Sequence, residues 1–264
     1  MTCTAVRRAP IPVLLAAALA APTALRAQSA PRSQPFLYTT LPTVAGAAAP
    51  LATLDLGYAE RSFDAVAPEH FEMRLGVQSA LSRHVSLLAR AGFVPGGADA
   101  GAMVDAEILL TPLARHPGTL AFGVGAIRDY DGTGEAVARV AAAHRGTDWQ
   151  LGANVTAEHP FSPDRDAVDV LTSVGYDHRL ASGVVLGVEA VGEDLEGLIE
   201  ADEAEGGAKL MLGPTLTLAP AASRWAVVAG AGPILYIRRN DRFSPAPREL
   251  GSSGYALRFS LRHR

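Results

Sequence analysis

The sequence predicts an all-β protein: an antiparallel, up-and-down transmembrane β-barrel of about 12 strands (10–12) over residues 51–264. Three observations predict it. From Leu51 to the last residues, apolar side chains alternate with polar ones at the two-residue period of a strand. The alternating segments run to about 10–12 residues, longer than the usual 5–6 of soluble sheets and near the 9–11 of a tilted membrane strand. The connections between them are short and long in turn, the habit of barrels with tight turns on one rim and loops on the other.

Residues 1–27 are predicted to be a signal peptide. Arg7 and Arg8 precede an apolar stretch, Ile11 to Ala21, and the small-residue run Pro22-Thr23-Ala24-Leu25-Arg26-Ala27 follows. The apolar core is shorter than the roughly 20 residues that a spanning helix needs. Cleavage is expected after Ala27, with Ala20 and Ala24 as alternatives. Cys3, the one cysteine, lies before the apolar core, so it is not the lipid-bearing cysteine of a lipoprotein. Its removal leaves no disulfide framework, no thiol nucleophile and no Cys-ligated metal. The net charge is −4 for the whole chain, which gives no basic field for nucleic acid. Residues 28–50 carry Pro31, Pro35, Pro42 and Pro50, and read as a flexible periplasmic leader.

Twelve segments follow, beginning near residues 52, 70, 84, 102, 119, 135, 148, 167, 183, 207, 225 and 254. In the second, Phe71, Met73, Leu75 and Val77 share one face, with Glu72, Arg74, Gly76 and Gln78 on the other. In the fourth, Ala102, Val104, Ala106, Ile108 and Leu110 enclose Asp105 and Glu107. The seventh sets Trp149, Leu151, Ala153, Val155 and Ala157 against Asp148, Gln150, Gly152, Asn154, Thr156 and Glu158. The last sets Tyr255, Leu257, Phe259 and Leu261 against Ala256, Arg258, Ser260 and Arg262. Pro214 removes a ladder donor from the tenth, which predicts a bulge or a strand end there.

Alternation alone does not say which face looks outward; the rims decide it. Short turns lie at Ala80 to Arg83, His144 to Thr147, Asp177 to Gly183 and Ala219 to Arg224, and they repeatedly hold Arg or His. Long loops lie at Arg61 to Glu69, Glu158 to Ala167, Gly192 to Gly206 and Arg238 to Gly254, and they hold most acidic clusters. Trp149, Tyr176 and Trp225 fall towards the short turns, and Phe93, Phe161, Tyr236 and Phe243 towards the loops, as interfacial girdles do. A sheet exposed to lipid must satisfy its backbone internally and therefore closes. An outward apolar face makes Glu72, Arg74, Arg90, Asp105, Glu107, Arg139, Asp148, Glu189, Lys209 and Arg258 lumen-facing. Twelve strands fall between eight, whose side chains fill the interior, and sixteen, which leave a water channel. The lumen is therefore expected to be narrow and crossed by ion pairs.

With its signal peptide, alternating strands, asymmetric loops and amphipathic last strand, the chain from Leu51 to Arg264 resembles the outer-membrane β-barrel proteins of Gram-negative bacteria, in particular porin-like members. Family barrels typically end in an aromatic residue read by the insertion machinery; here Phe259 is followed by Ser260-Leu261-Arg262-His263-Arg264. The segment Gly206 to Leu216 looks like penultimate-hairpin sequence of this class. The resemblance implies residence in the outer membrane with periplasmic termini. It implies lipid, lipopolysaccharide and the insertion machinery as partners, and a narrow channel or a structural, surface-interacting barrel as function.

Three patterns are candidates for chemistry. His84 and Ser86 sit two apart, like the pair of outer-membrane lipid A deacylases, but without an acidic third member; turn-proximal polar residues are the plainer reading. Glu193, Asp194, Glu196, Glu200, Asp202, Glu203 and Glu205 crowd one loop and could hold calcium, though a solvated acidic loop explains them as well. Glu205 could pair with Lys209. Arg238-Arg239-Asn240-Asp241-Arg242 could meet lipid phosphates or that acidic loop. No phosphate-cradling loop, dinucleotide fingerprint, zinc-protease motif or nucleophile elbow occurs, so no cofactor is expected. The rivals to the channel are a lipid-modifying barrel enzyme and a secreted soluble β-barrel or sandwich with its apolar face inward.

Overall fold

The computed structural model describes residues 35–42, 50–59, 71–95, 101–115, 117–161, 168–193, 195, 208–220, 223–236 and 253–263. The signal-peptide region, the acidic loop from Asp194 to Glu205 except Leu195, and the basic segment Arg238 to Arg242 lie outside them.

The strands are β1 (Leu51–Ala59), β2 (Phe71–Ala80), β3 (Val85–Val94), β4 (Gly101–Arg115), β5 (Gly118–Arg128), β6 (Gly134–Arg145), β7 (Trp149–Pro160), β8 (Asp169–Ala181), β9 (Val184–Glu193), β10 (Lys209–Leu218), β11 (Trp225–Tyr236) and β12 (Ser253–His263). Each pairs antiparallel with its neighbours in sequence, and β1 pairs with β12, so the sheet closes into a twelve-stranded barrel. Closure leaves no strand edge with unpaired backbone groups.

The barrel is inside-out relative to a soluble one. Among the described residues, buried polar and charged side chains outnumber buried apolar ones, while Leu75, Leu110, Val124 and Leu257 stand on the outer surface. Val124, near the middle of β5, is 63% exposed. Adjacent residues take opposite fates because successive side chains point to opposite faces. Leu109 is fully buried in the interior; Leu110 is 51% exposed outside.

Aromatic rings mark both rims. Trp149 stacks between His144 and Tyr176 at 5.4 and 6.3 Å, and Trp225 lies 4.5 Å from His263, all on the short-turn side. Tyr58, Phe71, Phe93, Phe161 and Tyr255 are exposed on the other.

Two details differ from the sequence reading. Pro214 produces neither a bulge nor an end. The ladder from β10 to β9 runs through it, and on the β11 side pairing passes from Met211 and Ile234 to Thr215 and Gly230 in unchanged register. The missing N–H is thus absorbed as a local gap in one ladder. Register shifts by one lie instead in β4, between Leu110 and Leu113 around Pro112, and in β8, between Arg179 and Ala181. Likewise, β8 extends through Asp177, His178 and Arg179, which the sequence suggested were a turn. The reversal is confined to Ser182-Gly183, with Gly183 at φ 79°, a conformation natural to glycine.

Candidate functional site

The interior is the site. Its upper half, towards the long loops, is a belt of ion pairs. Arg139 grips Glu107 with two parallel hydrogen bonds, Nε to Oε2 at 2.8 Å and Nη2 to Oε1 at 2.7 Å. Arg90 donates from Nε to Asp105 at 2.6 Å and also faces Glu107 at 3.7 Å. Glu72 is shared between Arg74 and the Arg258 guanidinium, the latter at 3.0 Å. Lys209 is ion-paired with Glu193 across the β9–β10 ladder. These pairs form because charged residues recur at the inward register of neighbouring strands: Arg90 lies opposite Asp105, and Lys209 opposite Glu193.

Tyr130 folds in from the short β5–β6 connection and donates its hydroxyl to Glu72. Gly92 and Gly101 make room for it, since a Cβ on either would collide with Tyr130. Burial pushes the Tyr130 hydroxyl above its ordinary value, against the pull of Arg74, so it remains a donor throughout the physiological range.

The lower half is occupied by the chain itself. Residues 35–42, part of the stretch read from sequence as a periplasmic leader, run inside the barrel, with Phe36, Thr39 and Leu41 at most 3% exposed. The prolines do break regular structure; what the sequence reading missed is that a barrel wall can supply the partners such a segment lacks. Glu189 accepts from the backbone N–H groups of Leu37 (2.7 Å), Tyr38 (3.1 Å) and Thr39 (3.0 Å). Asn154 accepts from the Thr40 N–H at 2.6 Å and donates to the Thr40 carbonyl at 2.7 Å. Gln78 donates to the Leu41 carbonyl, Thr217 to that of Pro35 and Arg262 to that of Phe36. The Arg258 guanidinium lies 5.2 Å from the centre of the Tyr38 ring.

Three glycines shape the bay for this segment. A Cβ on Gly175 would come within 2.5 Å of Phe36, one on Gly152 within 2.7 Å of Leu41, and one on Gly230 within 2.8 Å of Leu37. Phe36 and Leu41 pack with Ala143 as a small apolar cluster. Beside the segment, a cavity of about 110 Å³ remains, bordered by Asp55, Arg74, Gln78, Arg90, Arg258 and Arg262.

Of the residues expected to face the lumen, Glu72, Arg74, Asp105, Glu107, Arg139, Glu189, Lys209 and Arg258 are buried inside, and Arg90 is half-buried among them. Asp148 is the exception. Although its parity matches Gln150, β7 begins one residue later, and Asp148 is exposed in the β6–β7 turn, its carbonyl accepting from the Arg179 N–H. Sequence reasoning passed over Tyr130 and residues 36–41. His84 and Ser86 do not form a nucleophile–base pair: the His84 ring contacts the Thr111 carbonyl at 3.0 Å, and the buried Ser86 hydroxyl has no hydrogen-bond partner among the described residues. Glu205 lies outside the described residues.

No family model matches the sequence, and no curated protein matches it. Solved structures do. The NanC porin superposes with a TM-score of 0.58 at 10% identity, covering 81% of this chain and 99% of that one. The KdgM porin, in complex with disordered oligogalacturonate, gives 0.57 at 6% identity over 81% and 98%. An outer-membrane channel from Pseudomonas putida F1 gives 0.53 at 12% identity over 88% and 99%. These neighbours are porins and channels rather than enzymes. At such identities the likeness is one of fold, and the chain has the closed-barrel fold of outer-membrane porins.

Proposed function

We propose that this protein is a narrow, porin-like channel of the bacterial outer membrane, closed in the described conformation by its own residues 35–42. One observation carries the reading: an apolar outer belt encloses a lumen lined by charged and hydrogen-bonding groups. A barrel whose only task was to stand in the membrane could fill eight strands' worth of interior with apolar side chains. Twelve strands and a polar interior leave a path that water and a small hydrophilic solute can follow once the segment is displaced. The ion pairs fix the long charged side chains against the wall, which keeps that path at a defined width. The fold and the belt support membrane lipid as the immediate partner. The exposed aromatic rims would sit at its headgroups. Lipopolysaccharide at the loop side and the insertion machinery at β12 complete the proposed partners, with both termini in the periplasm because the strand count is even.

The test is the purified, detergent-folded chain on a gel with and without heating, with the same sample added to a planar bilayer. The reading expects heat-shifted mobility and rare, small conductance steps. Solubility in water without detergent would overturn it, because the exposed Leu, Val and Phe belt would then have no lipid to meet.

A further inference from the structure

We propose that the lumen contains a binding site for peptide backbone, held in this conformation by residues 35–42 as a tethered occupant that bends at Leu37 and Tyr38, and that short peptides are the solute class the channel admits. The proposal rests on the channel reading above. Its basis is the kind of contact the wall makes. Glu189, Asn154, Gln78, Thr217 and Arg262 all address main-chain groups of the segment. The Tyr38 hydroxyl, buried against the wall, is left unpartnered.

A wall that addresses amides and carbonyls recognises a peptide as such, because every peptide carries one donor and one acceptor per residue. Asn154 serves Thr40 on both sides, as a neighbouring strand would. Glu189 gathers three consecutive N–H groups, an arrangement that offsets the cost of burying its carboxylate. Phe36 and Leu41 enter the side-chain space left by Gly175 and Gly152. The bay therefore selects a backbone bent at the positions of Leu37 and Tyr38, with an apolar side chain near each end.

The experiment uses the full chain with Phe36→Asp and Leu41→Asp, which places two carboxylates against Ala143 and expels the segment while leaving the wall untouched. A fluorescent, end-blocked peptide of the sequence Pro-Phe-Leu-Tyr-Thr-Thr-Leu-Pro is added, and anisotropy and bilayer current are read. Saturable binding to the variant, block of its current, and at least about tenfold weaker binding to the unmodified chain are expected. Adding Glu189→Gln, or N-methylating the peptide at Leu37 and Thr39, should each weaken binding at least about tenfold. Equal binding to the native chain and the variant, or indifference to N-methylation, would overturn the proposal. So would a conducting variant that the peptide neither binds nor blocks, which would leave the channel reading standing. Peptide binding to a variant that never conducts would sink the channel reading and the solute class with it, leaving only the site.

Discussion

Val124 offers the sharpest measurement of which face meets lipid. It lies near the middle of β5, points outward and is 63% exposed. Val124→Arg places a guanidinium at the middle of the apolar belt, where an outward-facing Arg costs roughly 2–4 kcal/mol in a membrane barrel. That is roughly a 30- to 700-fold change in the folding equilibrium. In a soluble protein the same exposed substitution would stay within about 0.5 kcal/mol, because the guanidinium would sit in water. The two environments thus predict effects that differ several-fold. Leu180→Arg is the internal reference. Leu180 is 61% exposed but lies one residue from the end of β8 at the short-turn rim, where the expected cost falls to about 0–1 kcal/mol. The assay is denaturant unfolding of chain folded into lipid vesicles, followed by the heat-shifted gel band. Equal and small effects at both positions would refute an outward belt at membrane depth. A larger effect at Leu180 than at Val124 would refute the placement of the rims.

Other expectations follow from the lumen. Arg139→Met removes both short hydrogen bonds to Glu107, leaving it the 3.7 Å contact with Arg90, and should cost about 3 kcal/mol, most of it recovered in the double variant with Glu107→Gln, as read from denaturant midpoints. Gly175→Val collides with Phe36 and should raise the frequency of conductance steps in the otherwise unmodified chain, whereas Gly183→Ala should not. Tyr130→Phe removes one donor from Glu72 and should cost about 1–2 kcal/mol in the same unfolding assay, with the barrel band unchanged on the gel.

The wall of this barrel was legible because strand period, register and face are one property. Once Phe71, Met73 and Leu75 are outward, Glu72 and Arg74 have nowhere to go but in, and the same parity fixes Arg90, Asp105, Glu107, Arg139 and Arg258. Parity fails only where the strand stops: Asp148 shares the phase of Gln150 but sits in the turn. Pairing partners were less legible. Arg90 meets Asp105 because β3 and β4 place them opposite one another, a register set by bulges and turn lengths that hydrophobic alternation does not encode. Tyr130 escaped notice because its role depends on two glycines, Gly92 and Gly101, that flank another loop.

The occupied lumen had a signal in the sequence, though of a kind that periodicity does not register. Gly152 and Gly175 both fall at inward positions, and the ladder sets them directly opposite one another, with Glu189 next to Gly175 on β9. A barrel interior that lacks side chains at two adjacent wall positions, beside a carboxylate, is a bay with an acceptor at its edge. In a closed barrel such a bay cannot be filled by shifting a strand, because every strand is held on both sides by its ladders. It must be filled by water, solute or a piece of chain that enters from a mouth. The leader is the piece at hand: it precedes β1, which begins at the short-turn mouth, and Phe36 and Leu41 are large enough to fill the space the two glycines leave. Inward glycines set side by side in a polar barrel thus mark where backbone comes close. Their position predicts a lumen occupant where the proline-broken leader, taken by itself, predicts only irregular chain.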